Sequence, residues 1–381
     1  MNRRIACGAI LLALVALAFA VADTTTTPNL TASLTAGKVQ LKSAGALAFG
    51  PQGVLFVGDS VGGTVAELDT NDRQESSAAK INIDGIDAKI AAMAGVTPED
   101  IAINDVKVNP ISKNVYLSVT RGHGPDAAAM IVKVSASGQV TNVALDNIKH
   151  AAVNLSDAPA STPGARQDPR MMTITDMSYV NGNLLVAGLS NEEWSSALRS
   201  IPVPFKAAEQ GATLQIWHSS HGRYETQSPV RTFVPYTIGG QSFVLAAYTC
   251  TPLVKIPAAQ LKPGEKVKGV TIADLGAGNQ PIDMVPYKKD GHDFILIANS
   301  SRGLVKLRAD ALENYAAIDS PTKVDGPAGV PYDTLELKNV QQLAAFDNAS
   351  AVVLTGKPGP GPAFNPGKPV GPLTLQTIAL P

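Results

Sequence analysis

The sequence predicts an all-β protein whose sheets form a β-propeller, with six blades favoured over seven. Three observations support this fold class: one strand–turn–strand pattern recurs six times, helical periodicity is confined to one short stretch, and no linker divides the 381 residues. Two β-sandwich domains are the competing all-β interpretation. A closed ring leaves no exposed sheet edges, which suits a chain that lacks an internal disulfide.

Each repeat consists of a short apolar strand, a tight polar turn, a second apolar strand and a polar break. The repeats begin at Ala46, Asp105, Asp176, Thr232, Asp283 and Gln342. Their turns carry Gly, Asn or Asp, which tolerate the positive φ of short hairpin turns. Successive repeats begin 59, 71, 56, 51 and 59 residues apart. Because a four-stranded blade takes roughly 40–50 residues, each step holds one blade and an insertion.

The segments between these hairpins supply the other elements. Alternating apolar residues predict further strands within 130–145, 212–226, 252–275 and 304–312. A small helical insertion is predicted near 85–101, where Ile86, Ile90 and Met93 recur at helical spacing. The N-terminal "TASLTAGKVQLKSAG" is the candidate for the strand that closes the ring. The segment "GKPGPGPAFNPGKPVGP" at 356–372 predicts an exposed loop rich in Pro and Gly.

The first 22 residues predict a cleaved signal peptide. A basic start at Met1-Asn-Arg-Arg precedes an apolar run and small residues that suit cleavage after Ala20 or Ala22. A membrane anchor is the alternative, but the run is short for a span. Residues 23–39 then form an extended N-terminal segment, and residues 40–381 form a single propeller domain. The mature protein is expected in the periplasm or outside the cell, without a membrane span.

Composition narrows the range of partners and cofactors. Loss of the signal peptide removes two arginines and no acid, so the formal net charge changes from −1 to −3. There is no basic block and only 5% of residues are aromatic, which argues against nucleic acid as a partner. Cys7 leaves with the signal peptide, and Cys250 then has no disulfide partner. The chain carries no haem-attachment, nucleotide, flavin or nucleophile-elbow motif.

Segments such as "LAFGPQGVLFVGD" at 47–59 resemble the repeats of exported bacterial β-propellers of the NHL and YncE-like type. The chain is more loosely similar to the six-bladed calcium-dependent group that contains gluconolactonases and paraoxonases. The resemblance covers roughly residues 40–355 and implies the propeller fold. For the calcium-dependent group it also implies a metal at the channel mouth, held by acidic and amide side chains of the inner strands.

The residues that match this metal site are acids at three of the six repeat starts. They are Asp105, Asp176 and Asp283, with Asn191 and Asn299 nearby. The sequence departs from the family pattern at the other three starts, which are Ala46, Thr232 and Gln342, and no glutamate occupies the ring. Calcium is therefore the one cofactor that the resemblance implies.

Propeller geometry independently predicts one shared site. First strands start, and second strands end, at the same face, so residues distant in sequence meet at one channel mouth. The second strands end at Asp59-Ser60, Thr120-Arg121, Ser190-Asn191-Glu192, Thr249-Cys250, Asn299-Ser300 and Thr355. Three carboxylates in one channel must be protonated, paired or bound to a metal, and calcium prefers such oxygen ligands. The alternative is that the aspartates are solvated, bond backbone N–H groups, or pair with Arg121, Arg199 or Arg302.

Loops on the same face supply further candidates. His123 lies near Asp126 in "RGHGPDAA", where proton transfer and an ordinary exposed loop are both open interpretations. Trp194 lies in a long excursion at 188–205, either as a platform for a sugar or packed under its own loop. Cys250 is either a reactive thiol or a buried apolar residue.

The pair His218 and His221 has a spacing that a metal could accept. No Cys or acidic residue stands beside them in the sequence, so the sequence predicts an ordinary turn of an outer strand there.

Two functions follow from these observations. The first is an exported binding protein that recognises a small molecule, glycan or protein at the mouth. Its ligand-binding candidates are Arg121, Asn191, Trp194, Cys250, Asn299 and Arg302. The alternative is a calcium-dependent hydrolase of lactones or esters, in which Asp105, Asp176 and Asp283 hold the metal and His123 or Glu192 acts as the base. Redox partnering or quinone binding has no motif to support it.

Overall fold

A computed structural model describes residues 29–76, 80–165, 167–310, 312–322, 327–360 and 369–381. The predicted signal peptide and residues 361–368 of the predicted Pro/Gly-rich loop lie outside the described residues. Within the described ranges, no helix combines the length and apolar character that crossing a membrane requires.

The described chain contains 28 strands. The first fourteen are β1 Thr35–Gly37, β2 Leu47–Phe49, β3 Val54–Asp59, β4 Thr64–Asp69, β5 Asn82–Asp84, β6 Ile101–Val108, β7 Val115–Arg121, β8 Ala128–Val134, β9 Val140–Asn142, β10 Ile148–Asn154, β11 Asp176–Val180, β12 Asn183–Leu189, β13 Ser196–Pro202 and β14 Ala212–His218. The others are β15 Arg223–Glu225, β16 Val230–Ile238, β17 Gln241–Tyr248, β18 Pro252–Pro257, β19 Lys266–Lys268, β20 Val270–Asp274, β21 Pro281–Lys289, β22 His292–Asn299, β23 Gly303–Arg308, β24 Ala328–Gly329, β25 Tyr332–Thr334, β26 Val340–Ala345, β27 Ser350–Lys357 and β28 Val370–Ala379.

Helical structure is short, as the sequence predicts. The α-helix α1, Ile86–Ala94, lies between two left-handed glycines and buries Ile86 and Ile90. After it, Thr97 donates from its backbone N and Oγ1 to Asp100 Oδ2, which caps the next turn. The 3₁₀ segments are Leu30–Ser33, Pro51–Gly53, Pro98–Asp100, Gly124–Asp126, Pro169–Met172, Ala258–Gln260 and Leu312–Asn314.

The strands form six blades, numbered here by the chain order of their inner strands, and all six predicted hairpins are confirmed. From the channel outwards, blade 1 is β2-β3-β4-β10-β1, blade 2 is β6-β7-β8-β9 and blade 3 is β11-β12-β13-β14-β15, with β19 alongside β14. Blade 4 is β16-β17-β18-β20-β24, blade 5 is β21-β22-β23-β25 and blade 6 is β26-β27-β28-β5. The hairpin turns have the expected chemistry, with φ of 51° at Asp290 and 80° at Gly291.

The blades do not follow chain order around the ring. Inner-strand contacts place blade 2 between blades 1 and 6, and blade 1 between blades 2 and 3. The cause is an insertion: the whole of blade 2 lies in sequence between β4 and β10, which are neighbouring strands of blade 1. Six apolar clusters fill the six interfaces between neighbouring blades.

Ring closure differs from the prediction. The N-terminal strand β1 pairs with β10 at the outer edge of blade 1, and the C-terminal strand β28 pairs antiparallel with β5, where Leu375 faces Ile83. The expectation that the N-terminal segment closes the ring is therefore wrong. Blade 2 separates blade 1 from blade 6, so β1 has no edge of blade 6 beside it. The strand β5 reaches that edge because it precedes blade 2 in the chain, and blade 2 is the neighbour of blade 6.

Candidate functional site

The inner strands of four blades carry a β-bulge near one end of the channel. The strand register shifts between Ile103 and Asp105, Val230 and Thr232, Pro281 and Asp283, and Val340 and Gln342. The extra residues are Asn104, Arg231, Ile282 and Gln341, and all four line the channel mouth. A bulge adds a residue to one strand and re-aims side chains, so consecutive residues, rather than alternate ones, face the cavity.

These side chains surround a cavity of about 410 Å³. The predicted convergence holds, because five of the six repeat starts line this cavity: Ala46, Asp105, Asp176, Asp283 and Gln342. The sixth, Thr232, donates from Oγ1 to Asp176 Oδ2 at 2.9 Å. Three of the predicted second-strand ends also contribute, through Ser60, Thr120 and Ser300.

A lysine lies among the three aspartates at the floor of this cavity. Lys107 Nζ is 3.3 Å from Asp105 Oδ1 and 3.4 Å from Asp283 Oδ1. Burial opposes the lysine's charge, but attraction to Asp105, Asp283 and Asp176 raises its pKa far above the ordinary value. Burial raises the pKa of Asp283 and Asp176, against the opposing effect of Lys107. We name Lys107 and these three aspartates the channel-floor cluster.

Each aspartate of this cluster also joins two blades. Leu47 N donates to Asp105 Oδ2 at 2.7 Å, which joins blades 2 and 1. Phe233 N donates to Asp176 Oδ2 at 2.9 Å, which joins blades 3 and 4. The third bond runs from Leu343 N to Asp283 Oδ2 at 3.0 Å and joins blades 5 and 6. The carboxylates therefore satisfy inner-strand N–H groups that would otherwise lack partners.

The channel-floor cluster does not have the arrangement that calcium needs. Calcium requires six to eight oxygen ligands around one point. Here the Lys107 ammonium contacts two of the carboxylates, and one oxygen of each aspartate accepts a backbone N–H bond. Among the described residues, the three aspartates do not form a group whose donor atoms all lie within 4.8 Å of one another. A metal held by Asp105, Asp176 and Asp283 stays a prediction that these contacts oppose.

Arg231 is one of the mouth residues that sequence reasoning missed. Its Nε is buried and, within the described part of the chain, has no hydrogen-bond partner. Strict alternation from Thr232 would turn Arg231 away from the channel, and the bulge brings it to the mouth instead. Amides from other blades line the same mouth: Gln342 Nε2 donates to Asn104 O, and Gln280 Nε2 donates to Thr249 O.

The predicted bases lie outside the residues that line this cavity. His123 is exposed, and its Nε2 is 3.3 Å from Asp100 Oδ1 rather than paired with the expected Asp126. The backbone N of Glu192 donates to Ser190 Oγ within the loop after β12. Their proposed catalytic roles therefore gain no support from their positions.

Four predicted ligand-binding or pairing residues have other surroundings. Arg121 is exposed at the end of β7, and Asn191 is exposed and donates its backbone N to Asp157 O. The Lys266 ammonium, at the start of β19, lies 5.1 Å from the centroid of the Trp194 ring, and Trp194 is not among the residues that line the mouth cavity. Arg199 is fully buried and donates from Nε to Asp157 Oδ1 at 2.7 Å, so it does not pair with the channel aspartates.

Two further candidates lie at the turn that follows β22. Asn299 is buried, and its Oδ1 accepts from the backbone N of both Ser301 and Arg302, so it caps this turn. Arg302 Nη1 is buried without a hydrogen-bond partner among the described residues. Neither residue lines the mouth cavity, although Ser300 between them does.

The last predicted residue, Cys250, has unexpected neighbours. His218 and His221 lie beside it, and both bind Glu225. Burial opposes the shift, but hydrogen bonds with Cys250 and Glu225 raise the pKa of His218 to about 9. The predicted turn of an outer strand is present between β14 and β15, but a Cys and an acid lie beside the histidines in space. The glutamate is only seven residues from His218, but Cys250 comes from another blade, which local sequence cannot show.

Comparisons with known proteins identify no family for this chain. No protein-family profile and no curated protein matches it. One similar solved structure is a putative glucose dehydrogenase from Thermus thermophilus, with 10% identity, a TM-score of 0.30, and 91% of this chain and 100% of that chain covered. A second is a PQQ-bound aldose sugar dehydrogenase from Streptomyces coelicolor, with 11% identity, a TM-score of 0.28, and 91% and 97% covered. A third is a glycosyl hydrolase from Bacteroides ovatus, with 9% identity, a TM-score of 0.34, and 73% and 84% covered.

Proposed function

We propose that this protein is an exported binding protein that takes a small polar molecule rich in hydroxyl groups, of the sugar type, at the channel mouth. The observation that carries the proposal is the buried Arg231 Nε–H, which has no partner within the described chain, at a cavity of about 410 Å³. An unpaired buried donor is unfavourable by about 1–3 kcal/mol, and a ligand oxygen would relieve this. The cavity volume falls in the range of about 300–1,000 Å³ for small-molecule sites.

The rim around Arg231 supports a ligand with several hydroxyl groups. It presents amide and hydroxyl side chains from at least four blades: Asn104, Gln280, Gln341, Gln342, Thr120 and Thr175. Such groups donate and accept hydrogen bonds in the same site, which matches the dual character of sugar hydroxyls. The exposed side chain of Met171 supplies an apolar surface at the rim, which suits the C–H face of a sugar ring.

Ligand-observed NMR with a panel of neutral and acidic mono- and disaccharides tests this function. Arg231→Gln is expected to weaken binding about 10–100-fold, because a hydrogen bond to a charged donor contributes roughly 1.5–3 kcal/mol. Arg121→Gln is the matched control, since Arg121 is exposed and outside the cavity lining. Absence of binding across the panel, or equal effects of the two variants, would refute the proposal.

The calcium-dependent hydrolase of lactones or esters stays the alternative, together with catalytic roles for His123 or Glu192. Its distinguishing requirement is calcium at Asp105, Asp176 and Asp283. Calorimetric titration of chelator-treated protein with calcium, and lactone and ester hydrolysis with and without calcium, test it directly. Saturable calcium binding that Asp283→Asn abolishes would favour this alternative over the binding protein.

A further inference from the structure

A second cluster of chemically active side chains lies on the mouth side of blades 3 and 4. His218 ends β14, His221 lies in the turn before β15, and Cys250 follows β17 of the neighbouring blade. One ring nitrogen of each histidine and the Cys250 sulfur all lie within 4.8 Å of one another. In the part of the chain that the structure describes, no other group of three or more His, Cys, Asp or Glu meets this distance.

Glu225 orients both imidazole rings in the same way. Its Oε2 lies 2.8 Å from His218 Nδ1, and its Oε1 lies 2.7 Å from His221 Nδ1. Because both Nδ1 atoms face this carboxylate, the Nε2 atoms are the nitrogens that can turn to a metal. His218 Nε2 contacts Thr251 Oγ1 at 3.4 Å, a long contact that a metal ion would replace. The carboxylate is itself fixed by Arg223 Nε at 3.0 Å and Ser228 Oγ at 3.1 Å.

This pattern is the outer shell of a metal site. Histidines that bind a metal through one nitrogen usually donate the other N–H to a carboxylate, which sets ring orientation and tautomer. Here one carboxylate does this for two histidines, whose ring centroids are 3.8 Å apart. A thiolate and two imidazoles are a donor set that suits zinc.

A cysteine nucleophile activated by His218 is the competing interpretation. Such a triad needs one imidazole between thiol and carboxylate, and His218 with Glu225 would supply it. It gives no role to His221, which the same carboxylate holds equally closely. The duplicated histidine therefore favours a metal over a nucleophile.

We propose that His218, His221 and Cys250 bind a zinc ion, with Glu225 as the residue that positions both histidines. Zinc–ligand bonds are about 2.0–2.3 Å long, so the three donor atoms must close to about 3.5 Å from one another. His221 can provide this movement because it lies in a turn and its side chain is 48% exposed. Three protein ligands leave a fourth position for water or a substrate atom.

The zinc site lies close to the mouth cavity. Thr249, next to Cys250 in sequence, accepts a hydrogen bond at 3.3 Å from Gln280 Nε2, and Gln280 lines that cavity. The proposal does not depend on the sugar-binding function, since its ligands are separate from the cavity lining.

Metal titration of the full mature chain tests the site. Chelator-treated protein is titrated with Zn²⁺ by calorimetry and with Co²⁺ by absorption spectroscopy, where a thiolate-to-cobalt charge-transfer band reports ligation by Cys250. We expect one equivalent of metal per chain and loss of the band in Cys250→Ser. Glu225→Gln is expected to weaken zinc binding about 10–100-fold, the usual effect of removing an outer-shell partner.

Two further variants separate a ligand role from a folding defect. His221→Ala changes an exposed side chain and is expected to abolish tight zinc binding while thermal unfolding of the metal-free protein stays unchanged. His292→Ala is the matched control, because His292 is equally exposed and contacts Asp310 without a neighbouring thiol in the described structure. Absence of stoichiometric zinc binding would overturn the proposal. Rapid Cys250 alkylation that depends on His218 and ignores zinc would overturn it in favour of the nucleophile.

Discussion

At the scale of single residues, Lys107 determines the character of the channel floor. It lies two positions after Asp105 on β6, so both side chains point to the same side of the strand. Its ammonium contacts Asp105 and Asp283 and offsets part of the negative charge of the three buried carboxylates. The sequence shows a lysine there, but its three partners come from three different blades.

We expect Lys107→Met to lower the free energy of unfolding by about 3–5 kcal/mol near neutral pH, because removing one partner leaves buried carboxylate charge uncompensated. The loss should shrink on acidification, since protonated carboxyls need no cation. Urea denaturation at two pH values measures both effects. Lys133→Met, two strands further out in the same sheet, is the control, and a loss below about 1 kcal/mol for Lys107→Met would contradict this role.

Glu67 is a second residue with an unusual environment. It lies on β4 of blade 1 with no exposed surface, and neither carboxylate oxygen has a hydrogen-bond partner among the described residues. Burial raises the pKa of Glu67 to about 7. Between these two pH values the folded protein therefore keeps a proton on Glu67, whereas the unfolded chain, with a glutamate pKa of about 4.3, has lost it.

This shift predicts a specific pH dependence. A raised folded-state pKa contributes stability that is fully present below about pH 4 and is lost as the pH rises through about 7. Glu67→Gln should remove this contribution, so between pH 4.5 and 8 the wild type should lose about 3 kcal/mol relative to the variant. Chemical denaturation across this range measures the difference. The exposed Glu265→Gln serves as control, and parallel curves for wild type and Glu67→Gln would contradict the expectation.

At the scale of secondary-structure elements, bulges and carboxylates together build the mouth. Each bulge leaves an irregular place in the inner ladder, and the aspartates bond N–H groups of the adjacent inner strands. The three aspartates thus have a structural role whatever ligand the cavity takes. This matches the interpretation in which the aspartates bond backbone N–H groups.

Asp176→Ala tests that structural role. It leaves the Phe233 N–H and the Thr232 hydroxyl without their acceptor, and we expect a loss of about 2 kcal/mol in the free energy of unfolding. Asp176→Asn keeps one acceptor oxygen and should lose less. Asp146→Ala removes an exposed aspartate that pairs with Lys38 and should change stability by less than about 0.5 kcal/mol. Equal stability of Asp176→Ala and wild type would contradict the role.

At the scale of the whole molecule, the ring is closed by β5, a strand from the segment between β4 and β6. The strand β5 completes blade 6, and α1 packs beside β28 before the chain enters blade 2. Residues almost 300 positions apart in sequence therefore hold the two ends of the ring together. One example is the bond from Leu373 N to Asp87 Oδ1, at 3.0 Å.

Weakening β5 should loosen blade 6 before the other blades. Ile83→Ala removes a buried side chain from the cluster between blades 2 and 6 and is expected to lower stability by about 2–4 kcal/mol. Hydrogen-exchange mass spectrometry should show faster exchange in β28, because its outer partner is β5. Val267→Ala on β19, a buried residue of the cluster between blades 3 and 4, should leave β28 protected. Unchanged exchange of β28 in Ile83→Ala would contradict this account of closure.

Local sequence by itself determined the six hairpins, the turn at Asp290-Gly291, the short helical insertion and the convergence of Asp105, Asp176 and Asp283. These features depend on side-chain alternation and turn conformations that span only a few residues. Only the tertiary structure decided the position of blade 2, closure by β5, the placement of Arg231 at the mouth and the meeting of Cys250 with His218. Each of these depends on which distant strands pack together, because a bulge or an inserted blade changes the neighbours of a residue without changing its local pattern.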